Sequence, residues 1–281
     1  MKNRICMVTG ATNGIGRVTA EELARLGATV VVVGRNRGKA EATVAAIRQA
    51  TGNPSVESMV ADFASLEDVR RLARQFRSRY DRLHVLVNNA GLWAVGRGTS
   101  KEGLELTFAV NHLAPFLLTS LLLDVLKASA PARIVNVSSR AHGSGRMDFE
   151  DLQSEKRKYS GWACYANSKL ANVLFSNELA RRLEGANVTA NCLHPGVVAT
   201  ALFDGHKGFT GFLARLAKLF MLTSQQGART CIYLAASSEV EGVSGKYFVD
   251  CREAPTSPAV QDEQTARRLW QVSEKLAGLA N

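Results

Sequence analysis

Residues 4–9 (RICMVT) have the character of a buried strand. They run directly into Gly10-Ala11-Thr12-Asn13-Gly14-Ile15-Gly16, then into a helical pattern carried by Val18, Leu23, Ala24 and Leu26 and stopped at Gly27. Strand, glycine turn and helix in that order is the context a phosphate-binding loop requires. Glycines let the backbone turn tightly and approach a pyrophosphate, while the helix N-terminus offers unpaired N–H groups and a positive dipole end. The spacing is G-x-x-x-G-x-G rather than G-x-G-x-x-G. A purely structural turn is the alternative reading.

The alternation continues to the end of the chain. Strands are predicted at Thr29–Gly34, 56–61, 83–87, Ala132–Val137, 188–193 and 245–249. Helices are predicted at 41–50, from about Ser65, across 103–128 with Pro115 breaking the regularity, around Tyr165, and over 225–236 and 266–279. Such a pattern implies an α/β fold: a single Rossmann-like, doubly wound parallel sheet of about seven strands in the order 3-2-1-4-5-6-7, with helices on both faces. No Pro/Ser-rich linker or repeat divides the 281 residues, and 46% are hydrophobic, enough for one large core. One domain over 1–281 is expected.

Composition also excludes functions. No stretch approaches 18 uncharged apolar residues, so a soluble, cytoplasmic protein is expected. Cys6, Cys164, Cys192, Cys231 and Cys251 are odd in number, scattered and without C-x-x-C spacing, and read as reduced thiols. The five histidines show no ligand spacing, so no metal is expected. The net charge of +10 gathers partly in Arg70, Arg71, Arg74, Arg77, Arg79 and Arg82, a solvated helix face without the interleaved aromatics of a nucleic-acid binder.

The candidate site residues lie at strand ends, where open α/β sheets bind ligands. After the second strand stand Gly34, Arg35 and Asn36, where an NAD site usually places an acid. A guanidinium there suits the 2′-phosphate of NADP(H), unless Arg35 is only a solvated turn residue. Asp62-Phe63 ends the third strand: the acid can accept from an adenine amino group or cap the next helix. Asn88-Asn89-Ala90-Gly91 ends the fourth, with residues small enough for a flat ligand to approach. Ser138 and Ser139 end the fifth, and His194-Pro195-Gly196 follows the sixth. Tyr165 and Lys169 fall on one helix face about a turn apart, where a cation lowers a phenol's pKa and suits it to proton transfer. Residues 209–220 place phenylalanines and leucines at helical spacing, with Arg215 and Lys218 among them. A substrate lid, part of the core, and a surface-seeking membrane helix are the three readings, the lid favoured and membrane contact least so.

Together, Thr9-Gly10-x3-Gly14-x-Gly16, Asn88-Asn89-Ala90-Gly91, Asn111, Ser139, Tyr165-x3-Lys169, Pro195-Gly196 and Thr200 resemble the short-chain dehydrogenase/reductase family over nearly the whole chain. The segments IVNVSSRAH, FEDLQSEKRKYS, SKLANVLFSNELARRL and HPGVV look like its retinol dehydrogenase-like branch. The resemblance implies that Ser139 binds the substrate oxygen, that Tyr165 is the general acid/base, and that Lys169 lowers the tyrosine pKa and holds the nicotinamide ribose. It also implies that Asn111 positions a water in a proton relay. Pro195, Gly196, Val198 and Thr200 would line the nicotinamide and phosphate end. The implied activity is NADP(H)-dependent interconversion of a lipophilic carbonyl and its alcohol, by a homodimer or homotetramer with a lid near 203–222. A non-catalytic NADP(H)-binding sensor is the alternative. Two departures stand out: the N-terminal anchor of membrane-bound retinol dehydrogenases is not expected here, and Pro115 stands where relatives often have histidine.

Overall fold

The computed structural model describes residues 1–197 and 222–280. The first five strands are β1 (Ile5–Thr9), β2 (Thr29–Gly34), β3 (Val56–Val60), β4 (Val85–Asn88) and β5 (Ala132–Val137). They are followed by β6 (Val188–His194), β7 (Tyr247–Val249) and β8 (Arg252–Glu253). They form one sheet in the order β3-β2-β1-β4-β5-β6-β7-β8, parallel except for the last pair. The expected order is therefore present but extended: among the described residues the sheet has eight strands where about seven are expected. β8 is two residues long, too short to carry any hydrophobic alternation, and returns antiparallel from β7 after a turn in which Asp250 and Cys251 take positive φ.

Side chains alternate between the two faces of the sheet. On β1, Met7 points into the layer holding Phe76, Phe116 and Phe175, while Cys6 and Val8 point into the layer holding Leu23, Ile47 and Leu234. Val31 and Val33 of β2 join the first layer, Val30 and Val32 the second. Both faces are buried, which is why these strands are runs of apolar residues rather than alternating ones.

Helices α1 (Gly14–Arg25) and α2 (Arg37–Thr51) supply the second layer, and α3 (Leu66–Arg77) the first. Ser65 caps α3 through Asp68 N–H at 3.3 Å, so capping is not the task of Asp62, which instead accepts from Ala64 N–H at 3.0 Å. The long helix expected across 103–128 is broken. It comprises α4 (Leu106–Phe108), a π-helical turn over Ala109–Leu113, α5 (Ala114–Leu121) and α6 (Leu123–Ala128). Ala114 N–H reaches back five residues to the Ala109 carbonyl. Pro115 has no N–H to offer the Asn111 carbonyl one α-turn behind it, so the ladder widens at that point. Helix α7 (Gly161–Arg182) carries Tyr165 and Lys169; α8 (Ser224–Ala236) and α9 (Glu263–Leu276) complete the two layers. The 209–220 segment, Val198 and Thr200 lie outside the described residues. None of the described helices is long and apolar enough to cross a membrane.

Candidate active site

The carboxyl ends of β1, β2, β4, β5 and β6 open into one cleft of about 780 Å³, within the size range of small-molecule and cofactor sites. Its first part is the glycine loop. Thr9 Oγ1, buried, donates to the Val87 carbonyl at 3.2 Å and accepts from the N–H groups of Asn89 and Ala90 at 2.9 and 3.0 Å. Asn89 Nδ2 donates to the carbonyls of Thr9 and Gly10 at 2.8 and 3.2 Å. The two strand ends are thereby tied side chain to backbone. The fit leaves no room at Gly16, where a Cβ would fall 2.4 Å from Asn89 Nδ2 and 2.5 Å from the Gly10 carbonyl. A backbone cradle at the start of α1, kept bare of side chains, matches what a pyrophosphate needs.

Arg35, exposed at the end of β2, lines the same cleft, and among the described residues no carboxylate pairs with it. Asp62, Phe63, Asn89, Ala90 and Gly91 line the adjoining wall. Asn36 does not line it: its side chain caps α2 by accepting from Lys39 N–H at 2.9 Å.

The second part of the cleft brings together the polar groups of β5 and α7. Tyr165 is 8% exposed and Lys169 5%. Ser160 caps α7, accepting from Ala163 N–H at 3.3 Å, which starts the helix one turn before the tyrosine. Ser138 Oγ donates to the Lys169 carbonyl at 2.7 Å, and Lys169 Nζ donates to the Val137 carbonyl at 3.1 Å. These bonds lace the end of β5 to α7 and bring Ser139 and Tyr165 to the same stretch of the cleft. Burial raises the phenol's pKa above its ordinary value, and the Ser139 hydroxyl pulls the other way. Lys169 lies with Nζ 5.6 Å from the centre of the Tyr165 ring, and burial pushes its ammonium down to about 8. The expected depression of the tyrosine by the lysine is therefore not the leading effect; desolvation of both groups is.

Asn111 sits behind this wall in the π-helical turn, 1% exposed. Its Oδ1 accepts from Leu92 N–H at 2.8 Å, and its Nδ2 donates to the Leu92 carbonyl at 2.9 Å and to Ser168 Oγ at 3.0 Å. The side chain thus pins the loop after β4 to the helix that carries Tyr165 and Lys169. Pro195 and Gly196 complete the rim.

Over residues 4–207 the chain matches the family model described as short chain dehydrogenase. The chain belongs to that family. It is 45% identical to retinol dehydrogenase 14 of Mus musculus, over 99% of this chain and 87% of that protein. Among solved structures, a putative uncharacterized protein from Mycobacterium paratuberculosis superposes with a TM-score of 0.79 at 34% identity, covering 99% of this chain and 94% of that one. A putative short chain dehydrogenase from Escherichia coli CFT073, complexed with NADPH, has a TM-score of 0.71 at 27% identity, covering 90% and 98%. In this short chain dehydrogenase the cleft also includes residues that sequence reasoning passed over: Trp93, Leu106, Val110 and Trp162. Two of them had usable signals. Trp93 follows the Asn-Asn-Ala-Gly segment by two residues, and Trp162 precedes Tyr165 by three, hence on the same helix face.

Proposed function

We propose that this short chain dehydrogenase is an NADP(H)-dependent oxidoreductase that interconverts a lipophilic aldehyde or ketone and its alcohol. The observation that carries the reading is the convergence of Ser139, Tyr165 and Lys169 on the cleft that also contains the bare glycine cradle. The kinship with a retinol dehydrogenase and the NADPH complex of a structural neighbour support the chemistry and the cofactor. Arg35 supports the 2′-phosphate preference, since a guanidinium binds a phosphate with two hydrogen bonds.

When bound, the nicotinamide supplies or accepts a hydride at the substrate carbon. The Ser139 hydroxyl holds the substrate oxygen, and the Tyr165 hydroxyl gives that oxygen its proton in reduction and removes it in oxidation. The neutral phenol is the form that holds the proton to be given, and burial, which raises its pKa, makes that proton harder to release unless the phenolate left behind is stabilised. The Lys169 ammonium, buried a turn away, favours the phenolate left behind and offers its remaining N–H bonds to the ribose hydroxyls. Asn111 holds Leu92 and Ser168 so that the loop and the helix keep their register. Leu106, Val110 and the two tryptophans give the substrate end an apolar surface.

The test is NADPH consumption with a panel of aldehydes and ketones, retinal included. Tyr165→Phe removes the proton donor and leaves the cradle untouched; turnover is expected to be lost while NADPH affinity stays within about twofold. Turnover at the wild-type rate in that variant would overturn the reading.

A further inference from the structure

The amino ends of β1, β4, β5 and β6, at the opposite edge of the sheet from the cleft, border a second cavity of about 220 Å³. Sites for cofactors and drug-sized molecules run to about 300–1,000 Å³, so this one suits a small group instead. Its wall is basic. Arg4 precedes β1, His84 precedes β4, and Arg133 is the second residue of β5.

The sheet register explains how the arginines come together. Arg133 lies level with Val85 and Thr189, on the face of the sheet that α8 covers. Its Nη1 donates to the carbonyls of Leu234 and Ser237 at 3.2 and 2.7 Å, at the negative end of the α8 dipole. Arg4 Nη1 donates to the Pro131 carbonyl at 2.8 Å. A guanidinium carries more donors than these bonds use, and among the described residues neither arginine makes an ion pair. Glu241 also lines the cavity and favours the charge on Arg133 without touching it.

His84 adds a third donor. It is 8% exposed, and its Nδ1 accepts from Ile5 N–H at 3.0 Å. The neutral ring therefore carries its proton on Nε2, which has no partner among the described residues. Burial, then the charges of Arg4 and Arg82, hold its pKa below the ordinary value. Burial lowers Arg133 likewise, with Glu241 opposing and Arg4 reinforcing the shift. Positive charge is thus in excess around donors that lack an acceptor.

We propose that this cavity binds a phosphate group, held by the guanidinium groups of Arg4 and Arg133 and by Nε2–H of His84. Guanidinium groups bind phosphate oxygens with paired hydrogen bonds. Tetrahedrally spread oxygens can also meet donors that arrive from three separate strand ends, as the coplanar pair of a carboxylate cannot. The site stands apart from the chemistry of the cleft and does not depend on it.

The experiment follows the imidazole NMR signals of His84, assigned by comparison with His84→Gln, during titration with inorganic phosphate at pH 7.5. A saturable shift with a dissociation constant of about 1–10 mM is expected. Sodium chloride at matched ionic strength is the control; an equal shift with chloride, or no saturable shift with phosphate, overturns the site. Arg133→Met is expected to weaken phosphate binding about five- to tenfold. Arg4→Gln changes a partly exposed side chain, so it keeps the fold even if Arg133→Met does not, and the same weakening is expected. Unchanged affinity in Arg4→Gln overturns the assignment. Glycerol 3-phosphate is titrated in parallel: tighter binding than inorganic phosphate supports the site with a phosphate carried on a small molecule as its ligand, and weaker binding supports it with the free ion.

Discussion

At the scale of single residues, the site is built from groups held in a medium that does not suit them. Lys169 is fully enclosed, and burial alone brings its pKa from 10.5 to about 8. The folded state therefore binds fewer protons than the unfolded chain between those two values, so Lys169 makes stability rise as pH climbs from about 8 towards 10.5. Below pH 8 it carries the full cost of a buried ammonium, on the order of 3 kcal/mol at neutral pH. Lys169→Met is expected to abolish turnover yet raise stability at pH 7 by about 1–3 kcal/mol, read from urea unfolding without cofactor. An unchanged or lowered stability would show that the ammonium is better solvated than its burial indicates. The same ammonium sets an upper limit on the working pH: kcat/KM for carbonyl reduction is expected to fall above about pH 8 as its charge is lost. At the other end of the cleft, Arg35→Glu replaces the proposed partner of the 2′-phosphate by a repelling charge. Fluorescence titration is expected to show NADPH affinity lowered at least about tenfold and NADH affinity much less affected.

At the scale of elements, α7 is the piece that everything else at the site is measured from. Its N-terminus touches the loop after β4, its first three turns carry Trp162, Tyr165 and Lys169, and its Ser168 receives the Asn111 amide. Gly161→Ala forces the helix start away from the Ala94 carbonyl. A destabilisation of about 1–3 kcal/mol is expected, with kcat falling more than NADPH affinity, by denaturant titration alongside kinetics. The helix and its Tyr-Lys pair were legible in the sequence because spacing alone puts the two residues on one face. The parallel strands were legible because burial on both faces writes them as apolar runs. What could not be read has a physical reason in each case. The division of 103–128 depends on where a missing N–H leaves a carbonyl unanswered, and hydrophobic periodicity does not register that. Asp62 and Asn36 are types that cap and bind ligands equally well, and only the register decides: Ser65 takes the cap of α3, and Asn36 takes that of α2. The tryptophans carry no address in a sequence until the loop and the helix that hold them are seen to meet.

At the scale of the whole molecule, burial keeps neutral two histidines, His112 in an apolar layer and His194 at the wall of the cleft. Burial takes His112 down to about 3 and His194 to about 4, from an ordinary 6.5. His112 is packed among Phe108, Phe116 and Phe175, and its Nε2 lies 2.8 Å from Ser273 Oγ on α9. On acidification the unfolded chain takes up protons at these positions while the folded one does not. Stability is therefore fully present above about pH 6.5 and declines steadily towards pH 4. Urea unfolding at pH 7.5 and pH 5 is expected to show this loss, and His112→Gln to reduce the difference between the two pH values; an equal difference in the variant would place the acid sensitivity elsewhere.

The antiparallel return at β8 has a bearing on how the molecule behaves in a crowd. A parallel sheet ending on β7 would present an open row of backbone donors and acceptors on which another chain could lay a strand. With β8 in place that border offers only two residues of template, both exposed and oppositely charged, Arg252 and Glu253. At the opposite border, β3 carries Glu57 in contact with Arg79 and Tyr80, a charged post beside its own backbone. Strand-by-strand growth of the sheet into neighbouring molecules is thus blunted on both sides, which favours a protein that stays dispersed at high concentration rather than one that templates fibres.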